Sequence, residues 1–82
     1  DVEARESILR LLFREDPLSS DIDLAALARR SDLYSGSDLK NVAMAAAMRA
    51  LRRHRNNPTT EMIITDQDLE SALKDIPASV SE

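Results

Sequence analysis

The chain has 82 residues, 15 acidic against 11 basic side chains, a formal net charge of −4 and no cysteine, which leaves room for one small domain with a single core. Disulfides and thiolate metal sites are excluded, and the charge balance gives no general pull toward nucleic acid or anionic lipid. No apolar run approaches the roughly 20 residues that cross a membrane, and no stretch has the order of a signal peptide, so a soluble domain without direct membrane contact is expected.

Residues 3–14 read as a first helix, with Ile8, Leu11 and Leu12 on one side and Leu9 and Phe13 on another. The apolar arc is wide: either a small domain buries most of this short helix, or one side, with parts of the Leu9 and Phe13 face, stays uncovered and faces a neighbouring domain. Glu6 and Arg10 have the spacing of a favourable i, i+4 pair. A connection carrying Pro17 and two serines leads to a second helix over 24–30. Asp23 is its better N-cap, because Ile22 and Leu27 then occupy staple positions; Asp21 is the alternative. Residues 31–34 form the turn into the next element, with Leu33 expected to tuck inward.

The longest helical pattern, YSGSDLKNVAMAAAMRALRRHR over 34–55, opens beside the only glycine of the chain, Gly36. Ser35 is the N-cap, and Asp38 three residues later completes a capping box. Tyr34 and Leu39 occupy staple positions. Leu39, Val42, Ala43, Ala46 and Ala50, with Ala47 and Leu51 beside them, mark a buried stripe. Met44 and Met48 point elsewhere and are expected to be uncovered. Arg49, Arg52, Arg53, His54 and Arg55 crowd the last turns, where the helix dipole favours cations, and Asn56, Asn57 and Pro58 end the element.

A short extended run, Met62 to Ile64, is too small to form a sheet alone. Thr65 with Asp68 makes a second capping box, and Ile64 with Leu69 a staple, for a last helix whose core positions are Leu69, Ala72, Leu73 and Ile76. Glu70 and Lys74 are spaced as a surface pair, and Pro77 ends the helix. The expected architecture is all-α with four helices in one domain over residues 1–77. Residues 78–82 read as a frayed, cut C-terminal tail.

The residues carry no chemistry of their own. A single histidine, no cysteine and no GxxxxGK[ST] phosphate cradle leave no catalytic or metal constellation, and the arginines around His54 would repel a metal cation. The carboxylates are expected at caps or on solvated surface. Residues 24–53 can be drawn as a helix-turn-helix, but the negative net charge and Asp38 at the start of the reading helix oppose nucleic-acid binding. A non-catalytic helical adaptor for partner proteins is the other alternative.

The segment DIDLAALARRSDLYSGSDL, followed by ITDQDLESALKDIPASVSE, resembles the small helical lid domain that follows the large ATP-binding domain in AAA ATPases. Nearly the whole chain takes part. The SGSDL start and PASVSE exit look most like the branch of katanin, spastin, fidgetin and the outer-mitochondrial-membrane protein extractors, and a fungal mitochondrial ATPase fits the pattern. The resemblance implies a parent that hydrolyses ATP with magnesium and remodels or extracts a protein substrate as a homo-hexamer, with no catalytic residue in this domain and no tightly bound cofactor on it alone. The implied partners are the preceding large ATPase domain and neighbouring subunits, inside the cell, in the cytoplasm or a mitochondrion. Gly36 and Ser37 match the residues beside the nucleotide, and a helix start led by glycine suits that role, since backbone amides can approach the ligand without a Cβ between. Asp38 is expected to brace the turn rather than touch phosphate. Two positions depart from the wider pattern. Leu12 stands where many relatives carry a histidine near the nucleotide, and Ser37 where other branches place a phosphate-sensing arginine.

Overall fold

The computed structural model describes residues 1–79. Its four helices are α1 (Val2–Leu12), α2 (Leu24–Arg30), α3 (Gly36–Asn56) and α4 (Asp66–Asp75). α1 packs on α2 and on α3, and α3 packs on α4. Each helix start is chemically marked. The Asp1 carboxylate accepts the Ala4 amide at 2.7 Å, Asp23 accepts from Ala25 and Ala26, and Ser35 and Thr65 head complete capping boxes with Asp38 and Asp68. Asp23 is therefore the cap of α2, as its staple geometry predicts.

The core consists of Leu9, Phe13, Leu24, Leu27, Ala28, Ile64, Leu69, Ala72 and the α3 stripe of Leu39, Val42, Ala43, Ala46 and Ala50. Three expectations are corrected here: Leu51, placed beside the α3 stripe, is 48% exposed because it lies on the side of the helix away from the core positions, and the other two concern α1 and Leu33. Leu9 and Phe13 are the buried side of α1, at 0% and 3% exposure, while Leu11 is 60% exposed. The Leu9 and Phe13 pair, one helical turn apart, faces α2 and α3, and Leu11 lies on the far side of the cylinder. Leu33 does not tuck inward: it is 43% exposed with φ 73°. The tight turn closed by the Tyr34 amide on the Ser31 carbonyl at 3.0 Å forces this residue into the left-handed region, which an L side chain enters at a cost of roughly 1–2 kcal/mol.

The extended run before α4 finds its partner in the first connection. Ile64 donates its amide to the Pro17 carbonyl and accepts from Ser19, both at 2.9 Å, in a single parallel bridge with Leu18. Its side chain is fully buried. Glu70 pairs with Arg30 of α2 rather than with Lys74, tying together two helices that do not otherwise pack.

Asp68 closes the capping box expected of it and is also engaged from α3. Asp68, 1% exposed, accepts Arg53 Nη1 and Nη2 on its two oxygens, each at 2.8 Å, while Arg53 Nη2 also donates to the Ile63 carbonyl at 2.7 Å. Arg49 Nε adds a second positive charge 3.8 Å away. Burial alone pushes the Asp68 carboxyl upward; the Arg53 guanidinium and the Thr65 amide and hydroxyl outweigh it, and the group lies below its ordinary value. A forked, charge-assisted pair of this kind is among the stronger polar contacts.

Replacing Asp68 removes an N-cap partner and leaves the Thr65 amide unbonded, so Asp68→Ala lowers unfolding free energy by about 2 kcal/mol or more. Urea denaturation checks this; a loss within the roughly 0.5 kcal/mol typical of neutral surface substitutions contradicts it. Because the folded-state pKa of Asp68 is depressed, its stabilisation is fully present above the unfolded carboxyl value of about 3.9 and is lost as pH falls through the lower folded value. Acid titration of stability therefore has a steeper limb in the native chain than in Asp68→Asn, and parallel limbs refute the assignment.

Candidate functional site

The start of α3 is built from the capping residues outward. Ser35 Oγ accepts the Asp38 amide at 3.0 Å, and Asp38 Oδ2 accepts the Ser35 amide at 3.0 Å. The same Oδ2 also accepts the amide and hydroxyl of Ser79, at 3.0 and 3.1 Å. Those donors, the Ser79 amide first and the Ser35 amide second, outweigh burial and hold the Asp38 carboxyl below its ordinary range. Asp38 is thus buried and turned into the domain, bracing the turn as expected. Within the tail expected over 78–82, Ser79 is tied back to α3 by these bonds, and residues 80–82 lie outside the described residues.

Tyr34, half-buried against the core, sends its hydroxyl to the Ile76 carbonyl at 2.6 Å, with the Leu73 carbonyl at 3.3 Å. Burial, then the nearby Asp38 charge, pushes its phenol upward. The hydroxyl contact is additional to the staple role that the sequence suggests for Tyr34.

Gly36 and Ser37 stand at the outer end of this braced turn, both exposed. A Cβ added at Gly36 would meet no atom within 4 Å, and Gly36 does not have a positive φ. Neither packing within the domain nor backbone conformation accounts for the glycine. The first-turn amides of a helix lack intrahelical acceptors and carry the positive end of its dipole, so this edge can receive an anionic group without a side chain in the way. Among the described residues no enclosed pocket is present, and the edge is one open wall.

Other candidates fall away from this edge. Leu12, at the end of α1, is partly buried against the core and offers no polar atom. His54 Nδ1 lies 2.7 Å from the Thr60 carbonyl and pins the loop after α3. Among the described residues no three His, Cys, Asp or Glu side chains gather to hold a metal ion, and no helix is long and apolar enough to cross a membrane. Sequence reasoning missed Ser79 as part of the tip, and no local signal could have found it, because its partner lies 41 residues away.

Comparison with known proteins identifies the family of the chain. The AAA+ lid domain family model matches residues 21–71, more than half of the chain. A katanin p60 ATPase-containing subunit of Strongylocentrotus purpuratus is 45% identical over 53 residues, 65% of this chain and 10% of its own length. The ATP-dependent zinc metalloprotease FtsH of Thermus thermophilus is 44% identical over 72 residues, 88% of this chain and 11% of its own. A second katanin p60 ATPase-containing subunit, from Danio rerio, is 36% identical over 94% of this chain and 18% of its own length. The chain thus spans between a tenth and a fifth of these relatives. A solved structure from a study of katanin self-assembly superposes on all of this chain and 33% of its own with a TM-score of 0.86 at 23% identity, which shows the fold. The chain belongs to the AAA+ lid domain family.

Proposed function

We propose that this domain forms one wall of a nucleotide site, closing over ATP held mainly by a preceding large ATPase domain and passing the movement to the adjacent subunit of a ring. The observation that carries this reading is the exposed, glycine-led start of α3, where a Cβ has open space and the one nearby carboxylate is turned inward onto Ser35 and Ser79. A glycine that the domain itself does not require suits close approach by something outside it. Gly36 and Ser37 would contact the nucleotide through their backbone, while Asp38 stays out of reach of phosphate.

Hydrolysis and the magnesium that assists it belong to the large domain, since phosphoryl transfer needs a phosphate-gripping loop and acidic metal ligands that the described residues do not bring together. The katanin and FtsH relatives support a parent that uses ATP for remodelling or extracting a protein substrate as a homo-hexamer. Such a machine works where ATP and magnesium are abundant, inside the cell, in the cytoplasm or a mitochondrion. The residues 1–77 act as the lid unit.

A second surface fits the ring. Met44, Met48 and Leu51 are 57%, 50% and 48% exposed at i, i+4 and i+7, a stripe on the side of α3 opposite its core face. That stripe is suited to cover by a neighbouring protomer.

Gly36→Ala leaves the domain as stable as before, or more stable by up to about 1 kcal/mol because alanine is the better helix former, while raising the KM for ATP of the intact protein several-fold. An unchanged KM for both Gly36→Ala and the bulkier Gly36→Val refutes the nucleotide edge. Met48→Glu shifts the intact protein from rings toward smaller species in sedimentation without altering its helix content; assembly indistinguishable from the native protein removes the second surface from the reading.

A further inference from the structure

We propose that residues 76–79 latch onto the start of α3, making Asp38 and Tyr34 positioning residues for the Gly36 and Ser37 edge and coupling that edge to the path of the chain as it leaves α4. The proposal rests on the reading of Gly36 and Ser37 as a nucleotide edge.

The geometry goes beyond what capping needs. A capping box is complete with Ser35 and Asp38 alone, yet the oxygen that closes it also takes two donors from Ser79, and the residue before the cap reaches the Ile76 carbonyl. Tyr34 and Asp38, which flank the turn through Ser35, Gly36 and Ser37, are therefore held partly by residues about 40 positions later.

Length shows why the exit must be extended to do this. Arg53 holds Asp68 near the far end of α3, and from there back to Asp38 the helix runs about 22 Å at roughly 1.5 Å per residue. From Asp68 to the end of α4 at Asp75 the chain covers only about 10 Å by the same rise. The remaining distance is bridged by residues 76–79, which span up to about 13 Å when extended, and Pro77 keeps them out of the helix. Coiling or pulling away of this segment breaks the Ser79 contacts first.

The latch consists of the Tyr34 hydroxyl and two Ser79 donors, all at part-buried positions, so it is releasable and belongs to the low-stability end of the domain's local openings. With Ser79 gone, Asp38 keeps only the Ser35 amide, and the turn is held by local bonds alone. The nucleotide would then meet an edge that must be ordered on binding.

Hydrogen exchange on the intact protein tests this without nucleotide. Ser79→Pro removes the amide donor and the hydroxyl together, and Tyr34→Phe removes the phenol hydroxyl alone. Tyr34→Phe is expected to speed exchange of the peptide spanning residues 34–40 by roughly two- to twelvefold, the population change set by one lost hydrogen bond, and Ser79→Pro, which loses two, by a larger factor, while the core peptide 42–50 is unaltered. Ser79→Thr, which keeps both donors, restores native exchange. In the same variants the KM for ATP rises by a similar factor with kcat retained. Unchanged exchange at 34–40 in both Ser79→Pro and Tyr34→Phe overturns the latch. Faster exchange with an unmoved KM, when ATP does protect this peptide in the native protein, overturns the positioning role. If ATP fails to protect the peptide in the native protein, the nucleotide edge itself is refuted and the positioning role with it, a result the nucleotide-free comparison keeps separate from failure of the latch.

Discussion

Two aspartates in equivalent places do the same double duty, and the rest of the domain depends on it. Asp38 and Asp68 each sit at the third position of a helix and each close a capping box. Each then reaches across to the far end of the other helix: Asp68 takes Arg53 from the last turns of α3, and Asp38 takes Ser79 from the exit of α4. α3 and α4 are thereby held antiparallel at both ends, with the alanine stripe of α3 and Leu69 and Ala72 of α4 packed between. Small side chains let helices approach closely but specify little about how far one slides along the other. The two carboxylates supply that specification, because each has the geometry of a defined hydrogen-bond set rather than of general apolar contact.

This arrangement explains why the tip of α3 can be both exposed and ordered. A helix start that is open to solvent ordinarily frays, since its first amides have no internal acceptors. Here Asp38 is buried beneath the exposed Gly36 and Ser37 and anchored from two directions. The outer residues stay exposed while the inner one holds the turn. α3 also presents two apolar faces, one buried in the core and one, through Met44, Met48 and Leu51, left exposed. A single helix therefore connects a candidate nucleotide edge at one end with a candidate ring contact along its length.

Local chemistry was legible in the sequence; long-range chemistry was not. Ser35 with Asp38 and Thr65 with Asp68 announce their helices through spacing alone, as Asp23 does for α2, and the α3 stripe follows from its period. The exposed Met44 and Met48 follow from the same period. What failed was the choice between two apolar sides of α1, because Leu9 and Phe13 versus Ile8, Leu11 and Leu12 are equally hydrophobic and only the position of α2 and α3 decides which is covered. Leu33 failed because a left-handed turn residue was not recognised without glycine or asparagine to mark it. The second partners of Asp38 and Asp68, and the exchange of Lys74 for Arg30 beside Glu70, have no periodic signature at all. The candidate edge at Gly36 and Ser37 was reached through family resemblance, and the geometry adds the physical reason that the glycine is not consumed by packing.

The central claim is that this braced helix tip lies against a nucleotide. The most direct measurement is a structure of the intact protein with a non-hydrolysable ATP analogue and magnesium. The account predicts the nucleotide in van der Waals or hydrogen-bond contact with the backbone of Gly36 and Ser37, with Asp38 still turned away onto Ser35 and Ser79. A nucleotide bound with protein packed over Gly36, or with Asp38 swung out toward phosphate, would contradict it.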